Sequence, residues 1–257
     1  MRIGVQTFTI RKAQKKNIEK SYLPLINMGI LDYEVARIKF SNKNALILKS
    51  LIDKYHINIV SIQVKPKYVF NNKKEIIEFA KIVNCKNVII SMLPFKCILG
   101  NEEKFYNFID TLDTAYEIYQ KEGITLAYHH HNWEYVKLSN NKTKMDELIS
   151  KTNKIKFVFD TYWTKKSSYD PIIQIKEFND RLLGIHLRDL KLYKKGLKVL
   201  SKDCELGLGL IDFKEVIEEA INVGCKYYVI EQKTKTPYQS IKTSYQYLID
   251  NNLAERQ

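Results

Sequence analysis

No apolar run in the 257-residue chain is long enough to span a bilayer. The opening MRIGVQTFTIR has neither the apolar core nor the small-residue cleavage site of a signal peptide and reads instead as a strand. The four cysteines, Cys85, Cys97, Cys204 and Cys225, form no CxxC pair, which argues against a thiolate metal clip and for free thiols in a reducing compartment. Together these absences lead to the expectation of a cytoplasmic protein without a membrane role. No GxGxxG follows the first strand and no GxxxxGK[ST] occurs anywhere, so the phosphate-loop versions of an open α/β sheet lose support. LGLGLIDF (206–213) does contain a GxG, but it precedes a helix and reads as a loop and helix start. Linkers, repeats and low-complexity segments are missing too, so residues 1–257 are expected to form one domain.

What is abundant is positive charge. The formal net charge is +13, with clusters at RKAQKK (11–16) and KLYKKGLKVLSK (191–202). The lysines are otherwise dispersed, which fits a solvated surface better than a nucleic-acid groove. Short apolar, β-branched runs also recur: IGVQTF (3–8), YEVA (33–36), INIVSIQ (57–63), NVIIS (87–91), ITLAYH (124–129), IKFVFD (155–160), LLGIHL (182–187) and YYVIE (227–231). They are nearly continuous in apolar residues, as in parallel strands buried on both faces. Helical spacing fills the intervals, as in KEIIEFAKIV (74–83) and in 107–120, where Phe108, Leu112, Ala115 and Ile118 share a stripe. Gly29, Gly123 and Gly224 stand where helix-ending glycines belong. Eight strands alternating with helices in this length predict an α/β fold, a single-domain (β/α)8 TIM barrel, with an insertion after strand 7 that contains the second lysine cluster.

Such a barrel carries its chemistry at the C-terminal ends of its strands. The fifth strand leads into YHHHNWE, with His129, His130, His131 and Glu134; the sixth ends at Asp160, the seventh carries His186 and the eighth ends at Glu231. Glu134, Asp160 and His186 follow one another at 26-residue steps, the length of one βα repeat, and Glu231 stands 45 further on. Three carboxylates and an imidazole at one mouth call for a divalent cation, and an oxygen-rich set suits Mn²⁺ first, with Mg²⁺, Co²⁺ or Zn²⁺ as alternatives. Alternation along a strand turns His130 away from the mouth and leaves His129 and His131 facing it.

In these segments the chain resembles the xylose-isomerase-like TIM-barrel family, the sugar phosphate isomerase/epimerase group. YHHHNWE is similar to its YHNHxxE, FDTYW to LDTYW, HLRD to HVKD, LGLGLIDF to GEGxxDW, VIEQK to VEQD and IGVQTFTIR to IGxQLYTxR, in the same order. The resemblance implies one divalent metal held by Glu134, Asp160, His186 and Glu231. It also implies a metal-dependent isomerase or epimerase of a sugar, sugar phosphate or keto-polyol, working by proton abstraction next to a carbonyl through a metal-stabilised enediolate. Glu134, Glu231 and His131 are the candidates for moving the proton. Gln6, Glu34, His129, Trp133, Trp163 and Arg188 are expected to meet the substrate, and Arg188 is also read as pairing with Asp189 to orient His186. Two positions depart from the family pattern: Leu208 replaces the glutamate of GEG and Lys233 the aspartate of EQD. An inosose-dehydratase-like lyase is the near alternative. An endonuclease-IV-like nuclease and a non-catalytic sugar-binding barrel are the alternatives from other classes. No nucleic acid is expected as a partner, and homo-oligomerisation is left open.

Overall fold

The computed structural model describes residues 1–256, and within them eight parallel strands close into a barrel. In chain order they are β1 (Gly4–Gln6), β2 (Asp32–Ala36), β3 (Asn58–Val64), β4 (Asn87–Ile90), β5 (Thr125–His129), β6 (Lys156–Asp160) and β7 (Leu182–Leu187). The insertion follows as an antiparallel hairpin, β8 (Asp189–Lys195) and β9 (Lys198–Cys204), and β10 (Tyr227–Ile230) closes the ring between β7 and β1. The expected strands are thus all present, with ends displaced by a few residues. The longest helix, Glu102–Gln120, begins a turn earlier than its apolar stripe suggests, because the Asn101 side chain accepts the Lys104 N–H and caps it. Gly29, Gly123 and Gly224 all have positive φ, the conformation in which a chain leaves a helix without a Cβ clash.

Side-chain alternation divides the apolar residues into two layers. Residues such as Tyr128, Phe159, Ile185 and Ile230 pack outward against the helices. A smaller cluster of Ile89, Ala127, Val158, Leu183, Tyr227 and Val229 packs separately, as expected for a plug inside the ring. Two residues beyond Ala127, Val158 and Val229 stand His129, Asp160 and Glu231; two beyond Gly184 stands His186. The period of two therefore sets these four polar side chains above the plug, at the C-terminal mouth. Gly184 is required here: a Cβ at this position would lie 2.3 Å from the Tyr227 ring. The space it leaves lets Tyr227 extend to Glu34, to which its hydroxyl donates at 2.8 Å.

The hairpin stands away from the barrel. Its base is buried at Leu190 and Cys204, whereas Leu192, Tyr193, Leu197 and Val199 are exposed. Lys191 faces Lys202 and Lys195 faces Lys198 across it. No helix among the described residues is long and apolar enough to cross a membrane.

Candidate metal centre

His129, Asp160, His186 and Glu231 are all buried, and each offers a ligand atom within 4.8 Å of the others. The strand pairing sets this up, since Asp160 and His186 are Cα partners on β6 and β7. His186 is the hub. Its Nδ1 lies 2.9 Å from Glu231 Oε2 and 3.8 Å from Asp160 Oδ2, and its Nε2 lies 2.7 Å from Glu34 Oε1. His129 Nε2 lies 3.5 Å from the same Asp160 Oδ2 and has no hydrogen-bond partner among the described residues.

Burial alone would lower the His186 pKa, but the carboxylates of Glu34 and Glu231 outweigh it and raise it to about 10. Burial pushes all three surrounding carboxyls the other way and is likewise overcome. His186, Ser61 and Tyr227 hold Glu34 below its ordinary value. Arg188 and His129 do so for Asp160, and Arg188 and His186 for Glu231. The site is thus built from ionised carboxylates that draw in positive charge. The donor set fits a divalent cation: two imidazole nitrogens and two carboxylates converge, and Glu34 takes the second nitrogen of His186, as carboxylates do behind a metal-bound histidine.

Glu134, expected as a ligand, stands outside this group. Five residues past the end of β5, it sits in a short turn, Asn132–Tyr135, where one oxygen accepts the Tyr128 hydroxyl and the other the His131 N–H at 2.8 Å. Burial raises its pKa although those bonds oppose the shift. The mouth-facing position at the end of β5 belongs to His129, which the reading of the sequence gave to substrate. The alternation that turns His130 away already sets His129 at the mouth; its place among the candidate ligands is what the motif resemblance gave to Glu134 instead.

His130 is structural. Its Nε2 accepts the Asp160 N–H at 2.9 Å, and burial lowers its pKa to about 3. His131 is also kept neutral, its pKa pushed well down by burial and by His129. Its ring meets His129 edge-on at 4.9 Å and lies between Trp133 at 5.1 Å and Trp163 at 5.2 Å. His131 Nδ1, Trp163 Nε1 and Gln63 Nε2 are buried without a hydrogen-bond partner among the described residues. Gln6, opposite Glu34 on β1, donates to Gln63 Oε1 at 3.1 Å. Gln63, which the sequence reading did not select, thus joins the first-strand glutamine.

Arg188 does not pair with Asp189. Its guanidinium reaches Asp160 Oδ2 at 3.0 Å, Glu231 Oε1 at 3.2 Å and Asp203 Oδ1 at 2.8 Å, beside the rings of Tyr162 and Trp163. Asp189 instead accepts backbone N–H groups of Leu190, Gly207, Gly209, Leu210 and Ile211. The GxG loop is therefore folded around an internal carboxylate, which fills the kind of concavity that elsewhere receives a phosphate. Leu208 and Lys233, the two departures, are exposed.

A closed parallel barrel with a cluster of ligand-type side chains above its plug defines the class as a (β/α)8 protein with a candidate site at the C-terminal mouth. The chain belongs to the xylose isomerase-like TIM barrel family, whose sequence model matches residues 28–250. It superposes on a sugar phosphate isomerase/epimerase from Parabacteroides distasonis with a TM-score of 0.79 at 18% identity, covering 99% of this chain and 95% of the other. A xylose isomerase-like TIM barrel protein from Mycobacterium smegmatis, in complex with magnesium, superposes with a TM-score of 0.71 at 11% identity over 97% and 95% of the two chains. In sequence, a 90-residue stretch is 27% identical to inosose dehydratase from Geobacillus kaustophilus; it makes up 35% of this chain and only 29% of that relative's length.

Proposed function

We propose that the protein is a divalent-metal-dependent isomerase or epimerase of a keto sugar, sugar phosphate or keto-polyol. The observation that carries this reading is the convergence of His129, Asp160, His186 and Glu231, with Glu34 behind His186. These four residues would hold the ion. A divalent ion there would polarise a carbonyl and its neighbouring hydroxyl and acidify the C–H between them. The protein supplies the rest. Glu134 is held by Tyr128 and the His131 backbone outside the four converging residues, whereas Glu231 is one of them, so Glu231 and His131 are the candidates for proton transfer. His131 is neutral and so free to accept a proton, although burial makes it a weak base, and Trp133 and Trp163 give it an apolar wall against which a sugar's C–H face can lie. The partnerless donors at Trp163 and Gln63 suit hydroxyl groups.

The similarity to inosose dehydratase favours a second reading, loss of a β-hydroxyl after the same proton abstraction. A three-metal nuclease has less support, because the ends of β3 and β4 offer Ser61, Gln63 and Ser91 and no histidine. The test is solvent exchange in D₂O across a panel of keto sugars and keto-inositols. Deuterium is expected at the carbon beside the carbonyl, dependent on added Mn²⁺ and strongly reduced in Glu231→Gln. Metal-dependent cleavage of abasic DNA without exchange would replace this reading with the nuclease. Sugar binding with neither reaction would make the protein a silent barrel and direct attention to Leu208 and Lys233.

A further inference from the structure

Arg188 is placed unusually for a residue two positions from a candidate ligand. It is only 4% exposed, and one nitrogen, NH1, contacts both Asp160 Oδ2 and Glu231 Oε1. Asp160 Oδ2 is the oxygen that also faces His129 and His186, so the guanidinium shares the inner oxygen of the candidate centre. The backbone of Arg188 is fixed as well: Thr161 Oγ1 accepts its N–H at 3.0 Å and donates to its carbonyl at 2.6 Å. The far nitrogen, NH2, bonds Asp203 Oδ1 at 2.8 Å, and the same oxygen accepts the Lys233 N–H at 3.0 Å. Asp203 lies on β9, so the hairpin reaches back to the mouth through this carboxylate as well as through the Cys204 carbonyl, which accepts from Gln232 Nε2 at 2.7 Å, and Asp203 ties Arg188 to the chain just beyond Glu231.

We infer that Asp203 is a positioning residue that holds Arg188 against Asp160 and Glu231, so that Arg188 weakens the site's grip on its ion and leaves that ion more electrophilic. The inference rests on the metal reading above. Its physical basis is charge. Glu34, Asp160 and Glu231 bring three negative charges to the centre, Arg188 returns one positive that it shares with Asp203 on its far side, and a divalent ion balances most of what remains. Without the guanidinium the three carboxylates would hold a cation more tightly and neutralise it more completely. A planar, permanently charged fork between three carboxylates suits this task; a mobile ammonium would not hold the same geometry.

The experiment measures Mn²⁺ binding to the full chain by calorimetry and by quenching of its two tryptophans, Trp133 and Trp163, which both flank His131. Arg188→Met is expected to bind Mn²⁺ about tenfold or more tightly, yet exchange substrate protons more slowly. Asp203→Asn, the milder change should Arg188→Met fail to fold, is expected to tighten binding about threefold with a fall in kcat exceeding any change in KM. Asp203→Glu should restore part of both. Tighter metal with slower turnover is a combination that simple loss of structure does not produce. Equal or weaker Mn²⁺ binding in folded Asp203→Asn would overturn the inference while leaving the metal reading intact. No Mn²⁺ binding by the wild-type chain would overturn both.

Discussion

The two halves of the barrel mouth are built differently. Strands β5, β6, β7 and β10 end in His129, Asp160, His186 and Glu231, four groups that can bind a cation directly. Strands β1 to β4 bring Gln6, Glu34, Ser61, Gln63 and Ser91, mostly neutral hydrogen-bonding groups. The one charged member of that set, Glu34, faces across the barrel and meets the other half through His186. One half is thus suited to hold an ion, and the other to hold the ligand side chains and to read hydroxyl groups. Substitutions in the two halves should separate accordingly, with metal affinity tracking the second half and substrate affinity the first.

The largest effect is expected at Asp160. Its Oδ2 meets His129, His186 and Arg188, while its Oδ1 caps the helix at Thr161–Lys166 by accepting the Trp163 N–H at 3.0 Å. Asp160→Asn can keep the cap but loses the charge. Mn²⁺ affinity should fall by about 100-fold or more, and metal-dependent exchange should fall with it. Calorimetry on the folded variant decides this; unchanged affinity would reduce Asp160 to a helix cap. Glu34→Gln is the crossing test. Glu34 is expected to touch no ion, yet it fixes which nitrogen of His186 is free, so affinity should drop by about 10- to 100-fold. A drop confined to substrate affinity would mean that the two halves are independent.

The pH dependence sharpens the same link. The folded pKa of His186, about 10 without metal, lies above its unfolded value of about 6.5. Its contribution to the stability of the metal-free chain is therefore complete below about 6.5 and is lost as pH rises towards 10. Thermal unfolding of the metal-free protein should show a falling Tm between pH 7 and pH 9. Because coordination through Nδ1 displaces that proton, Mn²⁺ binding at pH 7 should release about one proton, read as a buffer-dependent binding enthalpy. Absence of proton release would show that His186 does not coordinate through the nitrogen facing Glu231.

The same asymmetry governed what the sequence could reveal. The second half is legible because three of its candidate ligands sit at strand ends in recognisable segments, FDTYW, HLRD and VIEQK. Glu134 was harder to place because the chain leaves β5 after His129, and the period of two no longer applies in the turn at Asn132–Tyr135. The direction of Arg188 was hidden for another reason. Its neighbour Asp189 is taken up by five backbone amides, and its own partner, Asp203, returns from the far strand of a hairpin. Sequence adjacency suggests a pair there, whereas the antiparallel return supplies one. Gln63 carried no signal at all, since a glutamine in an apolar strand looks the same whether it faces the helices or the mouth.

Gln63 gives the smallest of these effects and the cleanest check on the first half. Its Oε1 accepts from Gln6 and its Nε2 has no partner among the described residues, so it is a buried donor available to a hydroxyl group. Gln63→Leu removes that donor and leaves Gln6 Nε2 without its acceptor. A lost neutral hydrogen bond is worth about 0.5–1.5 kcal/mol, or roughly two- to tenfold in binding. The expected result is a rise in KM of that size, with kcat close to wild type and Mn²⁺ affinity unchanged. If metal affinity moved instead, the glutamine pair would belong to the support of the ion, and the division between the halves would not hold. If neither moved, hydroxyl recognition would lie with Trp163 and His131, on the same side of the mouth as the ion.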